Sequence, residues 1–331
     1  MRANLEVWSV GIVALRGSCC ARPPLGDGVK LIAYKSKMFT LAHLADPHLA
    51  PLPAPRWSEL LGKRVTGYIN WQRKRRFVHD SDVLAKIVGD MKAQAPDHIA
   101  MTGDIANIAL PQEFVRGRDW LESLGAPRDV TFVPGNHDVY VAEAASYAAR
   151  QWGAQMTDDD AIDGFPFLRR RGPLALIGIT SGVPTAPFLA TGWLGTLQLA
   201  GLAETLNALK SEKLFRVVLI HHPPVSQAGR SKALLDAPVL LRIIAAHGAD
   251  LVIHGHDHVH MLNWLNGPNG TRVPAIGVPS ASAKPSTDKD AAAYHLYRID
   301  GKPGAWTCEV ISRGIGPDSV VIEQKRFMLD E

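Results

Sequence analysis

The chain has 331 residues, of which 46% are hydrophobic and 21% charged, so it can bury a substantial core. This composition excludes a disordered or fibrous protein and predicts one large domain, with or without a small appendage. The sequence contains no run of roughly 18 uninterrupted apolar residues, so no membrane partner is expected. Cys19, Cys20 and Cys308 are too few for a disulfide framework, which favours a reducing, cytoplasmic location.

The first 37 residues are expected to lie outside the folded domain. Residues 7–15 form a short apolar stretch like the core of a secretory signal, but Arg16 interrupts it and residues 17–19 make a poor cleavage site. We therefore interpret residues 1–37 as a flexible leader or as the product of an upstream start. Residues 38–331 are expected to form a single domain.

A basic segment lies within a predicted insertion near residues 51–78. Between Arg56 and Arg76 there are seven cations and one anion, Glu59. The overall charge of +4 therefore leaves about −2 for the remainder, which does not favour a general nucleic-acid-binding surface. Three aromatic residues are interleaved with the cations: Trp57, Tyr68 and Trp71. The segment is either a lid whose arginines contact phosphate and whose aromatics stack on a base, or a helix whose tryptophans pack inward, and the second is slightly favoured.

From residue 39 onward, short apolar runs alternate with longer helical patterns, which is typical of an α/β sheet. Strands are expected at residues 39–44, 99–101, 130–133, 174–179, 217–220 and 251–253. Helices are expected to begin near Asp80, Pro111, Thr196 and Asp236. After residue 258, strand-like runs separated by turn residues predict an antiparallel second layer.

Polar clusters stand immediately after five of these strands. They are Asp46-Pro47-His48, Gly103-Asp104, Gly135-Asn136-His137-Asp138, His221-His222-Pro223-Pro224 and Gly255-His256-Asp257-His258. Because parallel strands deliver their carboxyl ends to one edge of a sheet, the clusters are expected to converge there. Carboxylate, amide and imidazole donors suit borderline divalent or trivalent metals such as Mn, Fe or Zn.

The motifs D-x-H, G-D, G-N-H-D, H-x-P and G-H-x-H, in this order, resemble the calcineurin-like metallophosphoesterase superfamily over residues 39–260. Within it, the motif order is similar to that of the bacterial class III cyclic-nucleotide phosphodiesterases. The resemblance implies a four-layer α/β/β/α sandwich that binds two metal ions. It implies that one ion is held by Asp46, His48 and His258, and the other by Asn136, His221 and His256.

The resemblance also implies that Asp104 bridges the two ions. Two cations about 3.5 to 4 Å apart need a shared anionic ligand, and a metal-bridging hydroxide would attack phosphorus in line. His137 resembles the family's catalytic histidine, which can hydrogen-bond the phosphoryl group or protonate the leaving oxygen, and Asp138 is expected to orient its ring. The motif selects His221 over His222 as a ligand, and it gives His79 no role.

The expected function is hydrolysis of a small, nucleotide-like phosphoester by a phosphodiesterase or phosphatase. A DNA nuclease of the same superfamily fits less well, because the basic residues are confined to one segment. A phosphoprotein phosphatase is a further alternative that the core motifs do not exclude. A noncatalytic metal-binding scaffold is disfavoured because all the ligand positions and His137 are present.

Overall fold

The computed structural model describes residues 38–160, 164–226, 228–285 and 289–329. The expected leader at residues 1–37 lies outside these ranges. Within them, no helix is both long enough and apolar enough to cross a membrane.

Six α-helices surround the sheets in the described ranges. They are α1 (Lys63–Arg73), α2 (Ser81–Ala93), α3 (Pro111–Leu124), α4 (Ala144–Met156), α5 (Thr196–Ala208) and α6 (Ala237–His247). Local sequence explains where several of them begin and end. The Asp80 side chain accepts hydrogen bonds from the first turn of α2. Pro111 occupies the first turn of α3, and Gly248, with a φ of 73°, ends α6.

Two six-stranded mixed sheets form the centre of the fold. The first contains β1 (Phe39–Leu44), β2 (His98–Thr102), β3 (Val130–Val133), β10 (Ala293–Lys302), β11 (Ala305–Ile315) and β12 (Val321–Met328). The second contains β4 (Phe167–Arg171), β5 (Leu174–Gly178), β6 (Phe215–Leu219), β7 (Leu251–His254), β8 (Met261–Asn266) and β9 (Arg272–Gly277). Strands β1 to β3 are parallel neighbours in the first sheet, as are β5, β6, β7 and β9 in the second.

Alternation along β6 shows how the layers pack. Val217 and Leu219 belong to the core that the second sheet shares with the first, whereas Val218 and Ile220 belong to a separate core beneath α5 and α6. Helix α2 packs on β10, β11 and β12 of the first sheet, and β2 contacts β6 between the sheets. The result is the four-layer α/β/β/α sandwich that the sequence resemblance implied.

The C-terminal strands do not form the separate antiparallel layer expected from the sequence. Strand β9 pairs parallel with β7 and antiparallel with β8, and both complete the second sheet. Strand β10 joins the first sheet antiparallel to β1, with Phe39 opposite Ile299. The reason is visible in the burial of β10, whose N-terminal half is buried on both faces and therefore belongs in a sheet interior.

Candidate metal centre

The predicted site residues lie on the segments that follow β1, β2, β3, β6 and β7. The first three strands belong to the first sheet and the last two to the second, so the site lies where the carboxyl ends of both sheets meet. The segments are hydrogen-bonded to one another through their backbones: Asp46 N–H donates to the Gly103 carbonyl, and His48 N–H to the Asp104 carbonyl, both at 3.0 Å. Residues distant in sequence therefore share one rigid frame.

Several candidate ligands have a left-handed backbone, which is uncommon for any residue other than glycine. Their φ angles are 52° at Asp46, 37° at His48, 59° at Asp104, 70° at His256 and 57° at His258. Each such residue costs on the order of 1 to 3 kcal/mol, and such strain clusters at functional sites, where the surrounding structure enforces it. In this structure, the left-handed backbone conformation directs the side chains of these residues toward a common centre.

Three of the imidazoles are anchored in the same way. In each ring, one nitrogen donates to a backbone carbonyl: His48 Nδ1 to Ala106 at 3.1 Å, His221 Nδ1 to Thr102 at 2.8 Å, and His256 Nε2 to Lys232 at 3.1 Å. A carbonyl only accepts, so the opposite nitrogen carries a lone pair in the neutral rings of His48 and His256, and in His221 once that ring loses its second proton. Metal-binding histidines typically use their second nitrogen in this manner, which fixes both tautomer and orientation.

The first group of donors consists of Asp46, His48 and His258. Asp46 Oδ1 lies 3.1 Å from His258 Nε2 and 3.9 Å from His48 Nε2. His48 Nε2 is fully buried, and no hydrogen-bond partner for it exists among the described residues. Burial, followed by the charge of Arg75, lowers the pKa of His48 well below its usual value, so this ring is neutral. A buried lone pair without a partner is costly, and a cation in this group would satisfy it.

The second group of donors is centred on His221. Its Nε2 lies 3.1 Å from Asn136 Oδ1, 3.3 Å from His256 Nδ1 and 3.4 Å from Asp104 Oδ2. Burial alone would lower the pKa of His221, but the Asp104 carboxylate raises it to about 10. The neighbouring His222 differs because both of its nitrogens are engaged, with the Ser181 hydroxyl and the Ala190 carbonyl.

Asp104 lies between the two groups. Its Oδ2 is 3.4 Å from His221 Nε2 and 3.7 Å from His48 Nε2, while its Oδ1 accepts from the His137 backbone N–H at 2.8 Å. Burial would raise the pKa of Asp104, but His221 and His137 together hold it well below its usual range. One ionised carboxylate oxygen therefore faces both groups of donors.

Asp138 does not orient the His137 ring, contrary to the expectation from the sequence. Its carboxylate instead accepts three backbone N–H bonds, from Asp104 at 2.7 Å and from Gly135 and Ala106 at 2.9 Å. Because these donors belong to the segments after β2 and β3, Asp138 fixes the loop that carries Asp104. Its carboxylate contacts these backbone groups, and the contacts of the His137 ring are made by other residues.

His137 is held by a carbonyl, a tyrosine and an arginine. Its Nδ1 donates to the Asn107 carbonyl at 2.5 Å, and its ring stacks on Tyr140 with centroids 5.6 Å apart. Arg75 Nη1 lies 2.8 Å from Nε2 and 3.0 Å from Nδ1; because Nδ1 already donates to the carbonyl, Nε2 accepts from the guanidinium. Burial and then the Arg75 charge lower the pKa of His137 to about 3. Among the described residues, no carboxylate lies within ion-pair distance of Arg75. A cation without a partner carboxylate therefore stands beside the predicted catalytic histidine.

The basic segment combines features of both interpretations drawn from the sequence. Trp71 packs inward and is only 4% exposed, whereas Trp57 is 89% exposed. Arg64 fastens α1 to the body of the protein by donating to the carbonyls of Ile108 and Ala109 at 3.3 and 2.7 Å. The basic segment therefore packs on the body of the protein and places Arg75 beside His137.

Sequence reasoning did not give a role to Arg75 by itself, nor any role to His79. Both lie outside the five motifs, and they reach the site only because α1 docks on the loops after β2. The available signal was their spacing: Trp71, Arg75 and His79 recur every four residues, which places them on one face of a helical segment.

The glycines of the motifs are required by close approach. A Cβ on Gly135 would collide with the Asp104 carboxylate, and one on Gly255 would collide with the carboxylate of Asp46. Both positions therefore accommodate only a hydrogen atom. This explains in physical terms why glycine accompanies the polar residues in the G-N-H-D and G-H-x-H motifs.

Comparisons with known proteins agree with this geometry. Two mixed sheets present carboxylate and imidazole donors at a shared edge, an arrangement typical of α/β metal-binding proteins. The chain belongs to the calcineurin-like phosphoesterase family, whose sequence profile matches residues 39–260.

A curated relative from Synechococcus sp., named a probable cyclic nucleotide phosphodiesterase, is 30% identical over 179 residues. That match covers 53% of this chain and 62% of the relative, so the chain spans about three fifths of the relative's length.

Two solved structures show the same fold at low identity. A dimetal phosphatase from Danio rerio superimposes with a TM-score of 0.60 at 14% identity, covering 88% of this chain and 98% of that one. Purple acid phosphatase PPD1 from yellow lupin (Lupinus luteus) seeds gives a TM-score of 0.55 at 12% identity, covering 89% of this chain and 54% of that one.

Proposed function

We propose that this enzyme hydrolyses phosphodiester bonds in small, nucleotide-like substrates with the help of two metal ions. The observation that carries the proposal is the position of Asp104 between two groups of donors. One ion would be held by Asp46, His48 and His258, and the other by Asn136, His221 and His256, with Asp104 shared. The unpartnered Nε2 of His48 and the carbonyl-anchored imidazoles support the fit of metal to these residues.

The mixture of donors limits the choice of metal. Imidazole nitrogen together with carboxylate and amide oxygen suits Mn²⁺, Fe²⁺, Fe³⁺ or Zn²⁺. When bound, such ions supply Lewis-acid stabilisation of phosphoryl oxygens and activation of the attacking water.

Arg75 is the residue best placed to bind the non-ester oxygens of the substrate. Its guanidinium is a permanent cation at the site, and it already donates to His137 Nε2 at 2.8 Å. Because His137 Nδ1 donates to the Asn107 carbonyl, Nε2 is the acceptor that holds this guanidinium in place. When Arg75 turns to a phosphoryl group, the lone pair of the same Nε2 becomes free to accept a hydrogen bond from a group at the reacting centre.

The choice of a nucleotide-like diester rests on the Synechococcus relative, because the shared core geometry is compatible with several phosphoesters. A direct substrate comparison tests it. The protein is stripped with a chelator, Mn²⁺, Fe²⁺ or Zn²⁺ is restored singly, and a chromogenic diester, a monoester, cyclic AMP and linear DNA are assayed. We expect the diester and cyclic AMP to be cleaved fastest. Preferential cleavage of DNA or of the monoester would contradict the proposed substrate class.

Two substitutions test the shared metal centre itself. Asp104→Ala and Asn136→Ala should abolish hydrolysis and lower the number of ions retained per chain, which mass spectrometry of the metals measures. Asp160→Ala is the matched control because this aspartate is exposed and its side chain lies in a loop before β4. Full activity in either site variant, or fewer than two ions on the unaltered protein, would contradict a dinuclear mechanism.

A further inference from the structure

His79 extends the first group of donors beyond the residues that the motifs supply. Its ring centroid lies 4.5 Å from that of His48 and 5.9 Å from that of His258. One nitrogen from each of these three buried or half-buried rings lies within 4.8 Å of the other two. His79 comes from the end of the basic segment, and the family motifs do not include it.

Hydrogen bonds on the far side of the His79 ring orient it. The Nδ1 atom of His79 lies 2.9 Å from the Ser282 hydroxyl, and the Ser282 hydroxyl lies 3.4 Å from the Ser280 hydroxyl. The Ser280 hydroxyl donates to the Asp46 carbonyl at 2.6 Å. Since Ser280 donates to that carbonyl, it can accept from Ser282. If each hydroxyl donates one bond along this chain, His79 donates from Nδ1 and its Nε2 carries the lone pair.

The backbone around His79 is held on both sides. His79 forms a β-bridge with Ala283, and Asp80 N–H donates to the Ser282 carbonyl at 2.9 Å. The Trp71 ring lies parallel to the imidazole, with an interplanar angle of 5° and centroids 6.5 Å apart. Because His79 is packed between Trp71 and His48, its ring has little freedom to turn away from the donor group.

Among the described residues, no hydrogen-bond partner meets His79 Nε2. His48 Nε2 likewise has no partner among these residues and, unlike His79 Nε2, it is fully buried. Two neighbouring imidazoles with unpartnered nitrogens, both oriented by bonds at Nδ1, are the arrangement expected of a pair that shares a cation.

We propose that His79 is an additional ligand of the metal ion held by Asp46, His48 and His258. This inference rests on the proposed metal centre and adds a nitrogen donor to one of its two positions. That position would then have three imidazoles, which bind Zn²⁺ and Co²⁺ in strong preference to Mn²⁺. The basic segment would thereby set the metal selectivity of the enzyme.

Metal affinity, measured without any substrate, tests the proposal. The stripped full-length protein is titrated with Zn²⁺ and with Mn²⁺ in competition with a chromophoric chelator, and Co²⁺ binding is followed by visible absorption. His79→Phe keeps the aromatic packing against Trp71 and removes the donor nitrogen, and His79→Ala removes both. We expect both variants to lose about tenfold or more in Zn²⁺ affinity at one site, less in Mn²⁺ affinity, and to alter the Co²⁺ spectrum.

His98→Phe is the matched control. His98 is a buried imidazole at the opposite end of β2 from Asp104, where it contacts the Thr131 hydroxyl. This variant should leave both affinities and the Co²⁺ spectrum unchanged.

Two results would overturn the proposal. Unaltered affinities and Co²⁺ spectrum in a folded His79→Phe protein would reduce His79 to a packing residue. Equal losses for Zn²⁺ and Mn²⁺ would indicate a general loosening of the site. Absence of metal binding by the unaltered protein is a different outcome, because it would remove the dinuclear centre itself.

Discussion

The Arg75 guanidinium donates from Nη1 to Nε2 of His137 at 2.8 Å, although 62 positions separate the two residues. The contact joins a basic segment of unassigned role to the one histidine that the motifs predict to act on the substrate. The arginines of that segment differ in their contacts: Arg64 anchors α1 to the body of the protein, Arg73 is exposed to solvent, and Arg75 contacts His137. Of these three arginines, Arg75 is the one that contacts the predicted catalytic histidine.

Replacing Arg75 should impair catalysis without unfolding the protein. Arg75→Ala removes the cation that would stabilise charge on the phosphoryl oxygens, so we expect kcat/KM for a diester to fall by about 100-fold. Arg75→Lys should recover only part of the loss, since an ammonium lacks the planar fork of a guanidinium.

The neighbouring Arg73 provides the control for this experiment. Arg73→Ala removes the same charge from the same segment at an exposed position, and kcat/KM should stay within about twofold of the unaltered enzyme because screened surface charge contributes little. Equal losses in the Arg73 and Arg75 variants would mean that the segment acts through its overall charge, and the role given to Arg75 would be wrong.

Gly255→Ala should damage the metal centre through a single methyl group. The added Cβ would collide with the carboxylate of Asp46 and the side chain of Ala45, so Asp46 must move. We expect metal affinity to fall by about 10- to 100-fold, comparable to the loss of an orienting contact. Titration of the stripped protein with Mn²⁺ measures this directly.

Gly153→Ala is the matched control, because this glycine lies within α4 and an added Cβ meets no atom within 4 Å. It should leave metal binding unchanged and stabilise the protein by about 0.4 to 1 kcal/mol. Unchanged metal affinity in Gly255→Ala would show that the loop carrying His256 yields to the methyl group, contrary to the expectation.

The sequence predicted those elements whose pattern is local. The expected strands at residues 39–44 and 130–133 match β1 and β3, because each is a short apolar run between turn residues. Helix α4 was not predicted because its buried face mixes alanine and glutamine with Trp152 and Met156, and β12 was not predicted because its side chains are mostly exposed and the four central ones are polar. Neither element carries a clear apolar period.

The residues of the candidate site also fall into two groups, those whose position could be predicted from the sequence and those whose position could not. Asp46, Asp104 and the other motif residues were predictable because each follows a strand end whose position the fold determines. Arg75 and His79 were not, because their contacts with His137 and His48 depend on how an insertion docks, and no motif encodes that docking. The role of Asp138 was wrong for a related reason: adjacency to His137 in sequence suggested contact, but the turn directs its carboxylate to backbone N–H groups.

A final prediction concerns the pH dependence of stability away from the metal centre. Asp90 on α2 accepts hydrogen bonds from Arg313 on β11 at 2.7 and 2.8 Å and from the Tyr294 hydroxyl on β10 at 2.5 Å. Burial would raise the pKa of Asp90, but these bonds outweigh it and hold the pKa below the usual value. The contribution to stability is therefore present above the unfolded-state pKa of about 3.9 and is lost as pH falls through the lower, folded-state pKa.

Asp90→Asn should consequently lower the free energy of unfolding by about 1 to 3 kcal/mol at pH 7, as measured by urea denaturation, and by progressively less below pH of about 4. Asp318→Asn serves as the control, because Asp318 is exposed and no ion pair to it occurs within the described ranges. If the difference between Asp90→Asn and the unaltered protein were the same at pH 7 and at pH 3, the bonds to Arg313 and Tyr294 would not depend on an ionised Asp90.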